Sequence, residues 1–341
     1  MKTKKYLFRS DNLYTGEGWL NVPWIASHGK WLNVLLGGRQ IGKTYGVLKL
    51  MLDERRKFFY LRRTAEELKI MMDAPELSPF RKYDIYGYDV GLKTQGKVCA
   101  IVNGDETIGW AAALRRIQYI RGFSGDAITD IVFDEAIPER GAVVRHGDGD
   151  ALLNAYVTIN GNREFQGKPP IRLWILANTN RLDSEVLESM GILNHMISLK
   201  HSGKEYKVDK DAFLLVASGS PVSRKRDETA LMRIVRKDSE FYRMASQSEF
   251  PKDETELIRN ISVKGYKPLL RFGEYCFYVM GSKIHIRKGG DLHICKYPET
   301  KAGAFRLIKD LPELYAIWLR GDITFEDPET YLKFREYFLA N

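Results

Sequence analysis

Apolar residues in the first 200 positions come in short unbroken runs. Trp31–Leu36, Phe58–Leu61, Ile131–Phe133 and Ile171–Ala177 are each bounded by polar or Gly-rich residues. A half-solvated strand would alternate apolar and polar residues, whereas runs like these suit strands covered on both faces of a parallel sheet. Between them the pattern turns helical. Tyr45–Leu52 follows a Gly-rich loop as a helix, and Thr64-Ala65-Glu66-Glu67 is a capping box opening a helix through Met72. Asp150 is placed to cap Ala151–Ile159, with Leu152, Leu153, Tyr156 and Val157 on its apolar face. Asp183 caps a further helix that stops near Gly191, and Met196–Leu199 reads as one more strand. Alternating strands and helices predict an α/β domain. One stretch breaks the rhythm. From Lys97 to Trp110 two β-rich runs flank Asn103-Gly104, a hairpin signal that predicts an insertion at the sheet edge.

Beyond Lys200 the pattern shifts. Ser218–Asp227 combines small residues with a basic cluster and reads as a linker, followed by a helix over Glu228–Lys237. The short runs Leu269–Phe272, Tyr275–Met280, Lys283–Arg287 and Leu292–Cys295, separated by Gly turns, predict a β-meander. Helices are expected around Leu311–Leu319 and Pro328–Leu339. The division that follows is a motor domain over 1–200, a linker or lid over 201–235 and a smaller C-terminal domain over 236–341. His285, His293 and Cys295 invite a metal reading, but alternating residues on neighbouring strands are expected as ordinary faces.

Composition narrows the class. The 341 residues are 44% hydrophobic and 28% charged, which supports a sizeable core and argues against wholesale disorder. A net charge of +9 points to a polyanionic partner. No apolar run is long enough to span a membrane, and the N-terminus lacks the apolar stretch of a signal peptide. Three cysteines without a C-x-x-C fit a reducing cytoplasm.

The chemistry is carried by Gly37-Gly38-Arg39-Gln40-Ile41-Gly42-Lys43-Thr44, a P-loop pattern between a strand and a helix. Such a loop wraps a polyphosphate with its own N–H groups, and the helix N-terminus adds partial positive charge. Lys43 is expected to reach the β- and γ-phosphates of ATP, and Thr44 to ligate Mg²⁺. Asp134, emerging from the Ile131–Phe133 strand, would hold the same Mg²⁺, and Glu135 would act as general base on water. Asn178 ends a strand beside the P-loop strand and is placed to sense the γ-phosphate. Arg62 and Arg63, at a strand end, are placed to meet phosphate. Arg115, Arg116 and Arg121 interleave with Tyr119 and Phe123, as in a nucleic-acid groove. Arg163, on the Asn160–Glu164 turn, is a candidate arginine finger. The aromatic lead-in carries Trp19, Trp24 and His28. Core packing is the expected role of these tryptophans, with stacking near a nucleotide base as the alternative.

Taken together, the P-loop with its internal arginine, Tyr60-Leu61-Arg62-Arg63, Ile131–Glu135, Asn162-Arg163-Glu164 and Leu176-Ala177-Asn178 resemble the DNA-packaging ATPases of small protein-primed tailed phages, compact relatives of large terminases. The resemblance covers about residues 30–200. It implies a RecA-like ASCE P-loop NTPase core, an α/β fold with a smaller α+β RNase H-like C-terminal domain. It also implies a homo-oligomeric ring, pentameric in this family, that drives double-stranded DNA into a procapsid through the portal, in the host cytoplasm. Some of these motors use a packaging RNA, a partner the sequence leaves open. Gly161 stands where the family carries another arginine, so the finger acting in trans falls among Arg163, Arg145 and Arg140. The C-terminal meander offers Glu274 and Asp291 only in turns, so nuclease activity, which needs convergent carboxylates, is not expected. Alternatives are another nucleic-acid motor, such as a helicase or DNA-transfer ATPase, and a nucleotide-gated scaffold.

Overall fold

The computed structural model describes residues 13–95, 98–120, 125–138, 147–178, 182, 184–217, 220–237, 239, 242, 254–290 and 293–338. The chain divides into two units, Met1–Met190 with Ser198–Pro251, and Gly191–Ile197 with Lys252–Asn341.

The strands of the first unit are β1 (Leu32–Gly37), β2 (Phe58–Arg62), β3 (Val90–Gln95), β4 (Val98–Asn103), β5 (Glu106–Ala113), β6 (Asp130–Phe133), β7 (Arg172–Asn178), β8 (Tyr206–Val208) and β9 (Ala212–Ala217). They form one sheet in the order β3-β4-β5-β2-β6-β7-β1-β9-β8. The central strands β5-β2-β6-β7-β1-β9 run parallel. Antiparallel β3, β4 and β8 close the two edges. Every residue of β1, β6 and β9 is buried, as the unbroken apolar runs require.

Two helices follow from local signals. α1 (Val22–Ser27) is capped by the Asn21 side chain, and α2 (Lys43–Asp53) opens at Gly42. Val22 and Ile25 of α1 and Val47, Leu48 and Met51 of α2 pack in one core with Leu35, Phe58, Tyr60, Val132, Trp174, Leu176, Phe213 and Leu215 from five parallel strands. Burying each such side chain contributes about 1.5–3 kcal/mol, which clamps α2 to the strands that carry the site. α3 (Ala65–Asp73) begins where the capping box predicts, with Thr64 Oγ1 accepting from Glu67 N at 3.2 Å.

Several expectations change. The stretch 201–235 is not simply a linker, because β8 and β9 are strands of the large sheet and β9 pairs with β1 along its whole length. Met196–Leu199 is helical, within Leu193–His201; Leu193, Met196 and Ile197 are buried at helical spacing. α4 (Asp148–Asn160) begins two residues before Asp150, with Gly147 at its cap. It buries Leu152, Ala155 and Ile159, while Leu153 and Val157 face solvent. The Asn103-Gly104 hairpin joins β4 to β5 at the sheet edge, as expected.

The second unit is α+β. Strands β10 (Lys267–Phe272), β11 (Tyr275–Met280) and β12 (Lys283–Lys288) form the expected antiparallel meander. β13 (Lys296–Tyr297) runs parallel beside β10, and β14 (Ile323–Phe325) parallel beside β12. The expected fourth strand, Leu292–Cys295, is displaced to β13; Asp291 and Leu292 lie outside the described residues. Helices Lys301–Asp310, Leu314–Leu319 and Pro328–Phe338 complete it. Its core is aromatic, with Phe325, Phe334 and Phe338 in successive ring contacts of 5.0–5.2 Å. Among the described residues, no helix is long and apolar enough to cross a membrane.

His285 sits inside this unit, fully buried, with Nδ1 3.0 Å from Thr324 Oγ1. Burial, aided by the Arg287 charge, lowers its pKa from 6.5 to about 4. The unfolded chain therefore takes up a proton between those values that the folded chain refuses. The stability contribution is intact above pH 6.5 and lost progressively toward pH 4. Calorimetry of the full chain should show a melting temperature falling over this window, and His285→Leu should flatten the slope.

Candidate active site

The site lies at the C-terminal ends of the parallel strands, the edge where open α/β sheets bind ligands. β1 ends at Gly37 and the chain turns through 38–42 into α2. Gly42 has φ +97°, a conformation that strains any side chain. Gly37 has no room for one, since a β-carbon there would meet Ile41 Cδ1 at 2.5 Å and Ala217 Cβ at 2.9 Å. Arg39 and Gln40 are exposed on the loop.

Lys43 is buried, with 7% exposure, and its ammonium curls back over the loop. Nζ donates to the carbonyl oxygens of Gly37 at 2.8 Å and Gly38 at 2.7 Å, and to Asn178 Oδ1 at 3.3 Å. Asn178 arrives there because the parallel register sets it opposite Gly37. A cation so enclosed needs acceptors, and a phosphate can replace these with stronger, charged ones.

Asp134 stands one residue past β6. Its Oδ1 accepts from Thr44 Oγ1 at 2.8 Å and from the Glu135 backbone N at 3.1 Å. Its Oδ2 accepts from Tyr60 OH at 2.7 Å and from Arg62 Nη1 at 3.2 Å. Hydroxyl and carboxylate oxygens within one hydrogen bond of each other are hard donors of the kind Mg²⁺ takes alongside phosphate and water, so Thr44 and Asp134 fit that ion. Glu135 adopts φ +52°, unusual for a non-glycine residue, and the turn is fixed by Ala136 N donating to Leu176 O at 2.9 Å. The turn leaves the Glu135 side chain half exposed, with Oε2 3.2 Å from Arg62 Nη2.

Tyr60 is the member that sequence reasoning missed. Its phenol is fully buried, and burial, followed by the Asp134 charge, pushes its pKa well up, so it remains a proton donor. A tyrosine inside an apolar strand needs a partner, and that need was the available signal.

Arg62 and Arg63 do not present themselves to a nucleic acid. Their side chains are 14% and 10% exposed and face carboxylates. Arg62 meets Asp134, Glu135 and Glu67, and Arg63 meets Glu67 at 3.5 Å. Burial opposes the Arg62 charge, but Tyr60, Asp134, Glu135 and Glu67 outweigh it and raise its pKa. Arg115 pairs with Asp148, the first residue of α4, at 3.0 Å, and Arg116 is exposed next to Arg115. Arg121, Arg140 and Arg145 lie outside the described residues.

Arg163 is not poised as a finger. It is 8% exposed, and its guanidinium donates to the backbone oxygens of Pro169 at 3.2 Å, Asp126 at 3.1 Å and Ile128 at 2.9 Å. It staples the turn after α4 to the segment entering β6. Arg163→Ala should leave those carbonyls short of a donor and destabilise the nucleotide-free protein by about 1–3 kcal/mol, read as a shift in denaturant midpoint. A residue acting only across a subunit boundary would leave that midpoint unchanged.

Comparison with known proteins fits this geometry. Residues 18–267 match the family model of the podovirus DNA encapsidation protein (Gp16). A DNA packaging protein of Bacillus phage B103 is 25% identical over 245 residues, covering 69% of each chain. Among solved structures, a chain of the Phi-28 gp11 DNA packaging motor superposes with a TM-score of 0.60 at 16% identity, over 93% of this chain and 97% of that one. A chain of the bacteriophage Phi-29 viral genome packaging motor assembly gives 0.59 at 17% identity, over 94% and 99%. The sheet order and P-loop make the first unit a P-loop NTPase, and the chain belongs to the podovirus DNA encapsidation protein (Gp16) family.

Proposed function

We propose that this chain is the ATP-hydrolysing subunit of a homo-oligomeric ring that translocates double-stranded viral DNA into a procapsid. The carrying observation is the convergence of Lys43, Thr44, Asp134, Glu135 and Asn178 at neighbouring strand ends. Family membership supplies the packaging context.

In this reading Lys43 exchanges the Gly37 and Gly38 carbonyls for the β- and γ-phosphates of ATP. Thr44 and Asp134 would hold Mg²⁺, which when bound would neutralise charge developing on the phosphates. Tyr60 and Arg62 fix the Asp134 carboxylate. Glu135, turned toward solvent by its left-handed backbone, accepts the proton of the attacking water, with Arg62 setting its orientation. Asn178 bridges the lysine to the γ-phosphate position and is placed to register phosphate loss. The arginine acting in trans falls to Arg145 or Arg140, because Arg163 is engaged inside its own fold.

The first unit is the motor. We assign the second to docking on the portal or nucleic acid and give it no cleavage role, since two-metal cleavage needs several convergent carboxylates and Glu274 sits in the turn between β10 and β11. DNA contacts of such a motor go to the phosphate backbone, which suits packaging of any sequence and weakens with salt. Further proposals from the same family are a pentameric ring, a packaging RNA as an additional partner, and action in the host cytoplasm at the portal vertex.

Two substitutions separate the roles. Lys43→Ala should lose ATP binding, whereas Glu135→Gln should bind ATP normally and lose turnover by about 10²–10⁴-fold. Equal loss of affinity in both would contradict the division of labour. ATPase rates measured with duplex DNA, with and without purified procapsids, test the motor reading. Stimulation by DNA that rises further with procapsids is expected, and a rate indifferent to both would favour a nucleotide-gated scaffold.

A further inference from the structure

We propose that Trp19 is the stacking platform for the purine base of the bound nucleotide. The inference rests on the triphosphate reading of the P-loop and extends it to the opposite end of the ligand.

Residues 14–20 form a tight hairpin closed by the Tyr14–Leu20 bridge. Thr15 N donates to Trp19 O at 2.7 Å, and Gly18 N to Thr15 O at 2.8 Å. The hairpin is fastened to the P-loop itself, since Leu20 N donates to Ile41 O at 2.9 Å. It is also fastened to the segment after β9. Ser220 Oγ donates to Gly18 O at 2.8 Å, and Lys225 Nζ to Glu17 O at 3.4 Å. The approach at Gly18 is close enough that a β-carbon there would meet Pro221 Cβ and Val222 N at 2.8 Å. Two anchors therefore hold Trp19 at the rim of the loop. A β-carbon on Gly42 would lie 3.7 Å from Trp19 Cε3, so the indole edges directly onto the residue that opens α2.

The two lead-in tryptophans part company here. Trp24 is packed edge-on against His28, Tyr206 and Phe213 at 4.5–6.0 Å, as a core residue. Trp19 keeps 41% of its surface exposed. A lone exposed aromatic is ordinary, so its position carries the argument. Asp134 and Asn178, which face the terminal phosphate in the proposed reading, end β6 and β7 on one side of β1. Trp19 and Ser220–Lys225 stand by the end of β9, on the other side. A nucleotide with its γ-phosphate toward β7 sends its ribose and base toward β9. The indole is the broad apolar surface waiting there, and a purine covers more of it than a pyrimidine does.

Stacking on an aromatic is worth about 5–150-fold in affinity per base. Binding of MgATP and of magnesium tripolyphosphate to the full chain separates the ends of the ligand. Trp19→Ala should weaken MgATP by about 5–150-fold and leave tripolyphosphate unchanged, while Trp19→Phe should bind both nearly as the native protein does. A second readout guards against misfolding of the alanine variant: MgATP should quench tryptophan emission in the native chain and not in Trp19→Phe, and tripolyphosphate should quench neither. Unchanged MgATP affinity in Trp19→Ala, or equal weakening of both ligands, overturns the platform alone. Failure of the native chain to bind either ligand overturns the triphosphate reading, and the platform with it.

Discussion

One carboxylate ties the strand-end site together. Asp134 has both oxygens occupied, one by the Thr44 hydroxyl and the Glu135 amide, the other by the Tyr60 phenol and the Arg62 guanidinium. An acid that is 5% exposed cannot remain there without such partners, because an uncompensated buried charge costs several kcal/mol. The partners come from β2, α2 and the chain just beyond β6. Satisfying Asp134 therefore requires the parallel strands to be in register, and the register in turn delivers Asn178 to Lys43. Fold and site are set by the same constraint.

The loop and its lysine form one hydrogen-bonded unit. Lys43 holds the carbonyls of Gly37 and Gly38, so the cradle and its cation are already in contact. In the proposed reading charged phosphate oxygens take over those donors with little reorganisation, and preorganised donors are the economical route to stabilising charge. Glu135 shows the complementary device. A backbone with φ +52° carries strain, and Arg62, the Ala136–Leu176 hydrogen bond and the buried β6 hold it in place.

Arginines illustrate how one residue type takes unlike roles. Arg62 balances three acids at the site, Arg163 staples backbone, and Arg56 and Arg172 sit against the buried Asp130 at 3.2 and 3.5 Å at the other end of β6. Asp130 also accepts from Trp174 Nε1 at 2.9 Å. The strand that presents Asp134 is thus anchored by a second buried carboxylate at its opposite end. A net charge of +9 foretells none of this placement, since several cations are consumed internally.

Local chemistry alone determined the P-loop, the strands β1, β2, β6 and β7, the capping box at Thr64 and the Asn103-Gly104 hairpin. Each is set by short-range rules: glycine where side chains cannot fit, unbroken apolar runs where both faces are covered, and turn residues where the chain reverses. Tertiary structure decided the rest. Ala212–Ala217 is itself an unbroken apolar run, but its pairing along the whole of β1 was decided only by the tertiary structure. Leu193–His201 became a helix because its apolar residues found burial at helical spacing. Arg163 and Tyr60 acquired their partners from residues 35 and 74 positions away. Sequence spacing fixes what a residue is able to do, but long-range packing chooses which acceptor it meets, and that choice separates a staple from a catalytic finger.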